Sequence, residues 1–386
     1  MKKNVFIIGS KGIPANYGGF ETFVEQLTAR QENKEIAYHV ACLDKERSYD
    51  DEHNKAHCFH IRIPAWLKSA KAVVYDMKAF SYADKMIKKE GYEQPVVYVL
   101  ACRMGPFVGH YVRKLHRLGG TYMLNPDGHE WKRAKWNAAI KKYWKISEQG
   151  MVKHADLVIC DSVSIEKYIK EDYKKYNPKT TFIAYGASFD EPGLQAEEKY
   201  AAWCTANGVK PGEYYLSVGR LVPENNFYTM IREFMKSDTA KDFVLVADNE
   251  GNKFYDSLKE TTGFEKDSRI KFVGTVYDTD LIGMIRRNAY GYFHGHSVGG
   301  TNPSLLEALA TTQLNLLYDV GFNREVGEDG AVYWNLEEGN LKSLIESADK
   351  YDSSYIEALS EKAKNRIRTA YEWSYIVERY EETFLK

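Results

Sequence analysis

Short apolar runs alternate with amphipathic stretches along most of this chain. The first apolar run ends at Gly9 and is followed by a glycine-rich loop. Beyond that loop, Phe20, Phe23, Val24 and Leu27 keep the three-to-four spacing of one helical face, which predicts a helix from about residue 20 to 31. Strands that alternate with helices form parallel sheets with both faces covered. The pattern therefore predicts an α/β fold.

The alternation runs through both halves of the chain, and 386 residues are more than one core usually organises. We therefore expect two Rossmann-like, doubly wound domains that face each other across a cleft. The first domain spans 1–186 and the second 187–369, with a loop-rich connection near 185–193, while the last helix, 370–386, packs on its own domain or returns to the first. Strands are predicted at 4–9, 38–43, 58–63, 96–100, 121–124, 157–160 and 181–184, and again at 214–218, 243–247, 270–273, 289–293 and 314–318; helices include 70–89 and 106–118.

Composition narrows the class of protein. The chain is 44% hydrophobic with a net charge of −1, so it is not a general binder of polyanions. Its five cysteines are scattered and form no Cys-x-x-Cys pair, which indicates reduced thiols in a cytosolic protein. We expect no signal peptide, because the first apolar run is too short for one, and the sequence contains no run of 18 apolar residues. We expect a cytoplasmic protein that is at most peripheral to a membrane.

The segment 292–309 carries the strongest candidate for a ligand site. A short apolar run is followed by a loop with two His and two adjacent Gly, and Pro303 then opens a helix. The free N–H groups at a helix start bind anions, and Glu307 is placed one turn in to accept hydrogen bonds from sugar hydroxyls. Anion-binding amides beside one hydroxyl-binding acid suit a nucleotide-sugar diphosphate, and the candidates to bind it in this loop are Gly300, Thr301, Asn302 and Glu307. An ordinary strand–loop–helix turn is the alternative.

Two further segments suit a diphosphate. Gly18 and Gly19 stand directly at a predicted helix start, although a sharp turn alone would also require them. The dinucleotide fingerprint is excluded because its middle glycine is missing. Arg220 follows a predicted strand and can hold a diphosphate with two hydrogen bonds, unless it pairs with Glu224 instead.

The loop after the predicted strand 121–124 gathers three titratable groups within four residues: Asp127, His129 and Glu130. Ligand sites of parallel sheets lie at the carboxyl ends of strands, so Asp127 and His129 are candidate catalytic residues. Asp127 and Glu130 could also serve only to cap the next helix.

A basic and aromatic stretch follows, at 131–145, with six basic residues and no acid. Such a stretch predicts contact with acidic lipid or a pyrophosphate; a solvated helix with its aromatic residues packed on the core is the alternative. No nucleic-acid-binding signature accompanies it. The residues of this stretch that are candidates to bind a membrane, or an acceptor substrate that carries a pyrophosphate, are Trp131, Lys132, Arg133, Lys135, Trp136, Lys141, Lys142 and Trp144.

Asp278 and Asp280 resemble a metal-binding motif, but they precede a predicted helix, where acids act as caps. We therefore expect no metal.

Several of these segments together resemble a retaining glycosyltransferase of the GT-B type, in glycosyltransferase family 4. They are Gly18-Gly19-Phe-Glu, Val218-Gly-Arg220-Leu, the Glu307 loop and helix, and the terminal helix of Trp373. Segments 9–23 and 125–131 resemble a narrower group, the bacterial β-1,4-rhamnosyltransferases of capsule and rhamnan cell-wall synthesis, notably in streptococci.

The resemblance implies roles for single residues. Gly18, Gly19 and Arg220 would contact the donor diphosphate and Glu307 the ribose, and we add Glu224 and Asn225 as donor-binding candidates. Two positions depart from the family pattern: Gly299 stands where the family has an upstream Glu, and Asn225 where it has a phosphate-binding Lys.

The resemblance also implies a reaction. L-Rhamnose would move from dTDP-β-L-rhamnose to a polyprenyl-diphosphate-linked GlcNAc or glucose, without a metal cofactor and at the inner face of the plasma membrane. Asp127 would contact the acceptor hydroxyl and His129 the reacting sugar. Another hexosyltransferase that uses a UDP-sugar, a nucleotide-sugar 2-epimerase and a non-enzymatic sugar-nucleotide-binding scaffold are the alternatives.

Overall fold

The computed structural model describes residues 2–15, 18–133, 136–189 and 192–386. The chain divides into two compact units. The first unit comprises Met1–Gly186 and Trp373–Lys386, and the second unit comprises Ala187–Glu372. Of the residues predicted to contact the acceptor or a membrane, Lys135 lies outside the described ranges.

The first unit is built on a sheet of eight strands within the described ranges, in the order β3-β4-β2-β1-β5-β6-β7-β8. All neighbouring strands are parallel except β3, which runs antiparallel to β4 at the edge. The strands are β1 (Lys3–Ile8), β2 (Ile36–Asp44), β3 (Asp50–His53), β4 (Ala56–Arg62), β5 (Val96–Leu100), β6 (Thr121–Asn125), β7 (Leu157–Cys160) and β8 (Thr180–Phe182).

Helices cover both faces of this sheet. Successive strand residues point to opposite faces, so in β5 Val97 and Val99 join the core under α2 to α5, whereas Tyr98 packs near rings of α1 and α14. The helices of the first unit are α1 (Gly19–Ala29), α2 (Lys71–Glu90), α3 (Gly105–Arg117), α4 (Ala138–His154), α5 (Val163–Asp172) and α14 (Trp373–Leu385).

The second unit repeats the architecture with six parallel strands among the described residues, in the order β11-β10-β9-β12-β13-β14. The strands are β9 (Tyr214–Val218), β10 (Asp242–Val246), β11 (Ile270–Phe272), β12 (Gly291–His294), β13 (Asn315–Tyr318) and β14 (Val332–Trp334). The helices are α6 (Ala196–Asn207), α7 (Phe227–Met235), α8 (Lys253–Thr262), α9 (Thr279–Arg287), α10 (Pro303–Thr311), α11 (Gly321–Gly327), α12 (Asn340–Ala348) and α13 (Ser353–Ala370).

The terminal helix α14 belongs to the first unit. The Glu381 carboxylate accepts hydrogen bonds from the backbone N–H groups of Glu32 (3.1 Å) and Asn33 (3.0 Å), and the Tyr380 ring lies 4.9 Å from the Phe23 ring of α1. Phe384 is fully buried. The end of the chain therefore completes the core formed at its beginning.

No helix in the described part of the chain combines the length and the apolar character that crossing a bilayer requires.

Candidate functional site

Each sheet has one topological switch point, where strands leave a central strand in both directions. In the second unit this point lies between β9 and β12, since β9 continues to β10 and β11 on one side, and β12 continues to β13 and β14 on the other. Ligands of such sheets bind beyond the carboxyl ends of the strands at this point. The loops after β9 and β12, which carry Arg220 and Gly300, are therefore the loops that topology selects.

Hydrogen bonds tie these two loops together. Both the backbone N–H and the hydroxyl of Ser297 donate to the carbonyl of Glu224, at 2.9 and 2.7 Å. Asn226 donates to the carbonyl of Gly295 at 2.8 Å. The Asn225 side chain is buried and donates to the carbonyl of Arg220 at 2.8 Å. Asn225 therefore fixes the backbone that presents Arg220.

The guanidinium of Arg220 faces solvent. Within the described ranges it has no hydrogen-bond or ion-pair partner, and the pair with Glu224 that the sequence left open does not form. A cation without a protein partner beside a helix start is free to meet an anionic ligand.

The loop after β12 leads into α10. Asn302 caps this helix by accepting a hydrogen bond from Ser304 N–H at 2.9 Å, and Pro303 occupies the first turn. Gly299 has φ 127°, and a Cβ there would meet no atom within 4 Å, so the loop is open at that position. One turn into the helix, Glu307 keeps 40% of its side chain exposed and pairs with Arg286 at 2.6 Å.

Two histidines stack beside this loop. The rings of His294 and His296 lie 4.3 Å apart and nearly parallel. Burial lowers the pKa of His294 well below its usual range, and the neighbouring His296 adds to this effect. His294 is therefore neutral at pH 7, so it contributes no charge to a bound phosphate.

In the first unit the switch point lies between β1 and β5. Arg103, just beyond β5, donates to the carbonyl of Gly9 at 2.6 Å and lies 3.4 Å from a carboxylate oxygen of Asp76. Asp76 is fully buried, and burial raises its pKa to about 6 although Arg103 opposes the shift. The sequence interpretation missed both residues, because no spacing pattern distinguishes them.

Asp127 and His129 follow β6, the next strand along the sheet. Both have left-handed backbones, with φ 61° and 48°. The Asp127 N–H donates to Asn125 at 2.8 Å, and Arg133 lies 3.7 Å from the Asp127 carboxylate. The side chain that caps α4 is Asn137, so the candidate role of Asp127 as the cap of this helix does not apply.

The His129 ring lies 4.1 Å from the ring of Tyr168. Burial lowers the pKa of His129 to about 4, and the nearby Lys132 and Lys145 lower it further. At neutral pH this imidazole is uncharged, so it can donate one hydrogen bond to a sugar hydroxyl or accept one from it, but it has no extra proton to give as a general acid.

The glycine loop after β1 ends at α1. Gly18 has φ 129°, and a Cβ there would lie 1.9 Å from a carboxylate oxygen of Glu21. The other oxygen of Glu21 accepts a hydrogen bond from Lys11 N–H at 2.7 Å. No side chain caps α1 within the described residues, and the N–H of Thr22 already donates to the carbonyl of Gly18. The N–H groups of the first turn, at Gly19, Phe20 and Glu21, therefore remain available to a ligand.

The basic and aromatic stretch is not one helix. Its first part is a short 3₁₀ turn at Glu130–Lys132, and α4 begins only at Ala138, because Asn137 supplies the cap. The three tryptophans are half-buried: Trp131 donates to Tyr168 at 3.4 Å, and Trp136 donates to Glu130 at 2.8 Å. The aromatic part of this stretch thus packs largely on its own unit, while Lys132 and Lys142 are exposed.

Asp278 is the cap of α9, as predicted, and Asp280 lies in the first turn of the helix. Asp278 accepts a hydrogen bond from Leu281 N–H at 3.0 Å and pairs with Lys199 at 2.6 Å. Within the described ranges no group of three or more His, Cys, Asp or Glu could hold a metal ion.

Residues 2–188 match the family described as "Domain of unknown function (DUF1972)". No curated protein matches the chain. The solved structures include similar folds over the whole chain. Sucrose-phosphate synthase from Thermosynechococcus elongatus is 16% identical, with 99% of this chain and 98% of that chain covered and a TM-score of 0.81.

Two further structures carry bound molecules. The alpha,alpha-trehalose-phosphate synthase (UDP-forming) from Burkholderia xenovorans, in complex with glucose-6-phosphate, is 11% identical, with 100% of both chains covered and a TM-score of 0.73. Anabaena Alr3699/HepE, in complex with UDP, is 13% identical, with 99% of both chains covered and a TM-score of 0.70. These likenesses show the fold: the predicted α/β class with two parallel-sheet units of the GT-B type is confirmed.

Proposed function

We propose that this chain is a glycosyltransferase that takes its sugar from a nucleoside-diphosphate sugar. One observation carries the proposal. At the switch point of the second unit, the solvent-facing guanidinium of Arg220 lies on one loop, and the adjoining loop leads into the start of α10. The half-exposed Glu307 lies one turn into that helix. This set combines groups for a diphosphate with one acceptor for hydroxyls. Fold alone would not justify the proposal, because one fold hosts many activities.

The donor would be held mainly by the second unit. Arg220 would bind the diphosphate with two hydrogen bonds, aided by the backbone of Gly300, Thr301 and Asn302, while Glu307 would accept a hydrogen bond from the ribose. Asn225, which replaces the lysine of the resembled family, would act through the Arg220 backbone that it already holds. Gly18 and Gly19 would add N–H groups from the start of α1.

The narrower proposal names the sugar and the acceptor. L-Rhamnose would pass from dTDP-β-L-rhamnose to a polyprenyl-diphosphate-linked GlcNAc or glucose in a β-1,4 linkage. Its support is the resemblance of segments 9–23 and 125–131 to rhamnosyltransferases. A hexosyltransferase that uses a UDP-sugar is the second candidate, since neighbours of the same fold are described as UDP-forming or as complexes with UDP.

The reaction would retain the anomeric configuration. The acceptor oxygen would form its bond to the anomeric carbon on the face that the phosphate leaves, and the acceptor proton would pass to the departing phosphate oxygen. Arg220 and the N–H groups at the start of α10 would stabilise the charge that develops on that phosphate. Asp127 would orient the acceptor hydroxyl, and the neutral His129 would contact the reacting sugar.

A panel of sugar nucleotides tests the proposal. The full chain is incubated with dTDP-rhamnose, UDP-glucose and UDP-GlcNAc, each with and without a short-chain lipid-pyrophosphoryl GlcNAc, and the products are identified by mass. We expect dTDP-rhamnose to yield rhamnosylated lipid when the lipid acceptor is present and no isomerised sugar nucleotide when it is absent. A glycosylated lipid from a UDP-sugar would favour the second candidate, and an isomerised free sugar nucleotide would indicate the 2-epimerase. Absence of any product, together with absence of nucleotide binding, would contradict the proposal.

A further inference from the structure

Arg286 is a buried cation near the proposed donor site. It lies at the end of α9 with only 6% of its surface exposed. Arginine is seldom buried unless it is paired and hydrogen-bonded, because removing a charge from water is unfavourable. Its position therefore requires a specific partner.

That partner is Glu307. The Nη2 atom of Arg286 lies 2.6 Å from Oε2 of Glu307 and 3.4 Å from the hydroxyl of Ser304 on the same helix. In the described part of the chain, Oε1 of Glu307 has no hydrogen-bond partner, and 40% of the side chain is exposed. The pair thus occupies one carboxylate oxygen and leaves the other free to accept a hydrogen bond.

The same guanidinium is connected, through the hydroxyl of Ser304, to the strand that precedes Arg220. The hydroxyls of Ser304 and Tyr292 lie 2.9 Å apart, and both donate to the carbonyl of Val218, at 3.3 and 3.2 Å. Val218 ends β9, two residues before Arg220. A continuous hydrogen-bond network therefore joins α9, the start of α10 and the end of β9, from which the loop with Arg220 begins.

We propose that Arg286 is a positioning residue that orients the Glu307 carboxylate toward a ribose hydroxyl of the bound nucleotide. This inference rests on the proposed function. A carboxylate that is already held in one orientation loses little side-chain freedom when it binds a ligand. Without Arg286, Glu307 would remain on the helix but rotate freely, so the affinity gained from the ribose hydroxyl would fall.

The test compares nucleotides that differ only in ribose hydroxyls. Calorimetry measures the binding of UDP and 2′,3′-dideoxy-UDP, and of dTDP and 3′-deoxy-dTDP, to the full chain. We expect the wild-type protein to bind the hydroxylated nucleotide on the order of tenfold more tightly than its deoxy analogue, because a hydrogen bond to a charged group is lost. In Arg286→Gln this preference should disappear, while the deoxy analogue binds as it does to the wild type.

Three further variants separate positioning from general support. Glu307→Gln should reduce the same preference, and Arg286→Lys should restore part of it. Arg287→Gln, which removes the exposed neighbouring cation, should behave as the wild type. Should Arg286→Gln not fold, Arg286→Lys decides the question: a preference between those of the wild type and Glu307→Gln supports the inference, and the full wild-type preference overturns it.

The outcomes are distinct. If the wild type binds none of the four nucleotides, the proposed function and this inference both fail. If it binds them and Arg286→Gln keeps the full preference for the hydroxyl, only the inference fails. Equal weakening of every nucleotide in Arg286→Gln would assign Arg286 to support of the fold and would also overturn the inference.

Discussion

Asp127 and His129 lie in one loop, and the proposed reaction places both against the substrates. Replacing a group that orients a reacting hydroxyl lowers rates by about a hundredfold or more. We therefore expect Asp127→Asn and His129→Ala each to lower kcat by about two orders of magnitude, measured as initial transfer rates. Glu171→Gln, at an exposed position, is the control and should keep its rate. Wild-type turnover in both variants would remove these residues from the mechanism.

The low pKa of His129, about 4, leads to a second residue-level prediction. The imidazole stays neutral between about pH 5.5 and 8, so its protonation should produce no change in kcat/KM across that range. His129→Gln keeps a neutral hydrogen-bonding group and should retain more activity than His129→Ala at pH 7. A wild-type pH profile with an apparent pKa near 6.5 that is absent from His129→Gln would contradict this assignment.

Asp76 makes stability depend on pH. Its pKa rises from 3.8 to about 6 on folding, so the folded protein holds this proton more tightly than the unfolded chain. The stabilisation is present at low pH and is lost as pH rises through 6. Urea unfolding should show the free energy of the wild type, relative to Asp76→Asn, falling by about 2 kcal/mol between pH 4.5 and 7.5. Asp256→Asn, at an exposed position, is the control: it retains Asp76, so its free energy of unfolding should differ from that of the wild type by the same amount at both pH values. A difference that changes with pH for Asp256→Asn and not for Asp76→Asn would contradict the assignment to Asp76.

Some residues of the candidate sites could not be found in the sequence. Arg220 and Glu307 stand next to recognisable strand ends and helix starts, which is why the pattern selects them. Arg103 follows β5, and it becomes notable only because the sheet places β5 beside β1. Arg286 acquires its partner on a neighbouring helix. Contacts between distant segments of the chain leave no spacing pattern.

At the level of elements, the sequence predicts the buried strands, because burial requires apolar residues and these form a recognisable pattern. The central strands are apolar on both faces, as parallel strands are, and the predicted strand at 214–218 is confirmed without any shift. The edge strand β3 was missed because Asp50–His53 has no apolar residue. It pairs antiparallel with β4 along its backbone, and side-chain contacts of Asp50 with His57 at 3.4 Å and of Asp51 with His60 at 3.0 Å add to this pairing.

The helix α14 should contribute strongly to the stability of the first unit. Phe384 is fully buried and its ring lies 5.6 Å from that of Tyr98 on β5. We expect Phe384→Ala to lower the free energy of unfolding by about 3–5 kcal/mol, because it leaves a cavity in a packed core. Tyr375→Ala on the same helix, where the side chain is 41% exposed, should have an effect of less than about 1 kcal/mol. Urea unfolding followed by circular dichroism compares the two, and equal effects would show that α14 does not complete the core.

For the whole molecule, the near-neutral net charge of −1 means that attraction to an anionic membrane must be local. Lys132 and Lys142 are exposed, and Lys141 is half-buried. Replacing these three lysines with glutamate should weaken binding to vesicles of acidic phospholipid by on the order of a hundredfold, since each lysine near such a surface contributes about 1 kcal/mol.

The control for this prediction is a second triple variant, which changes the net charge by the same amount but at three lysines outside the 131–145 stretch. Lys210, Lys266 and Lys350 are exposed lysines of the second unit, and their replacement with glutamate alters net charge by the same amount. Vesicle sedimentation at low salt should show strong loss for the first triple variant and little for the second. Raising the salt should weaken wild-type binding, because ions screen exposed charges. Equal losses in the two variants would mean that net charge, and not the 131–145 stretch, governs the attraction to the membrane.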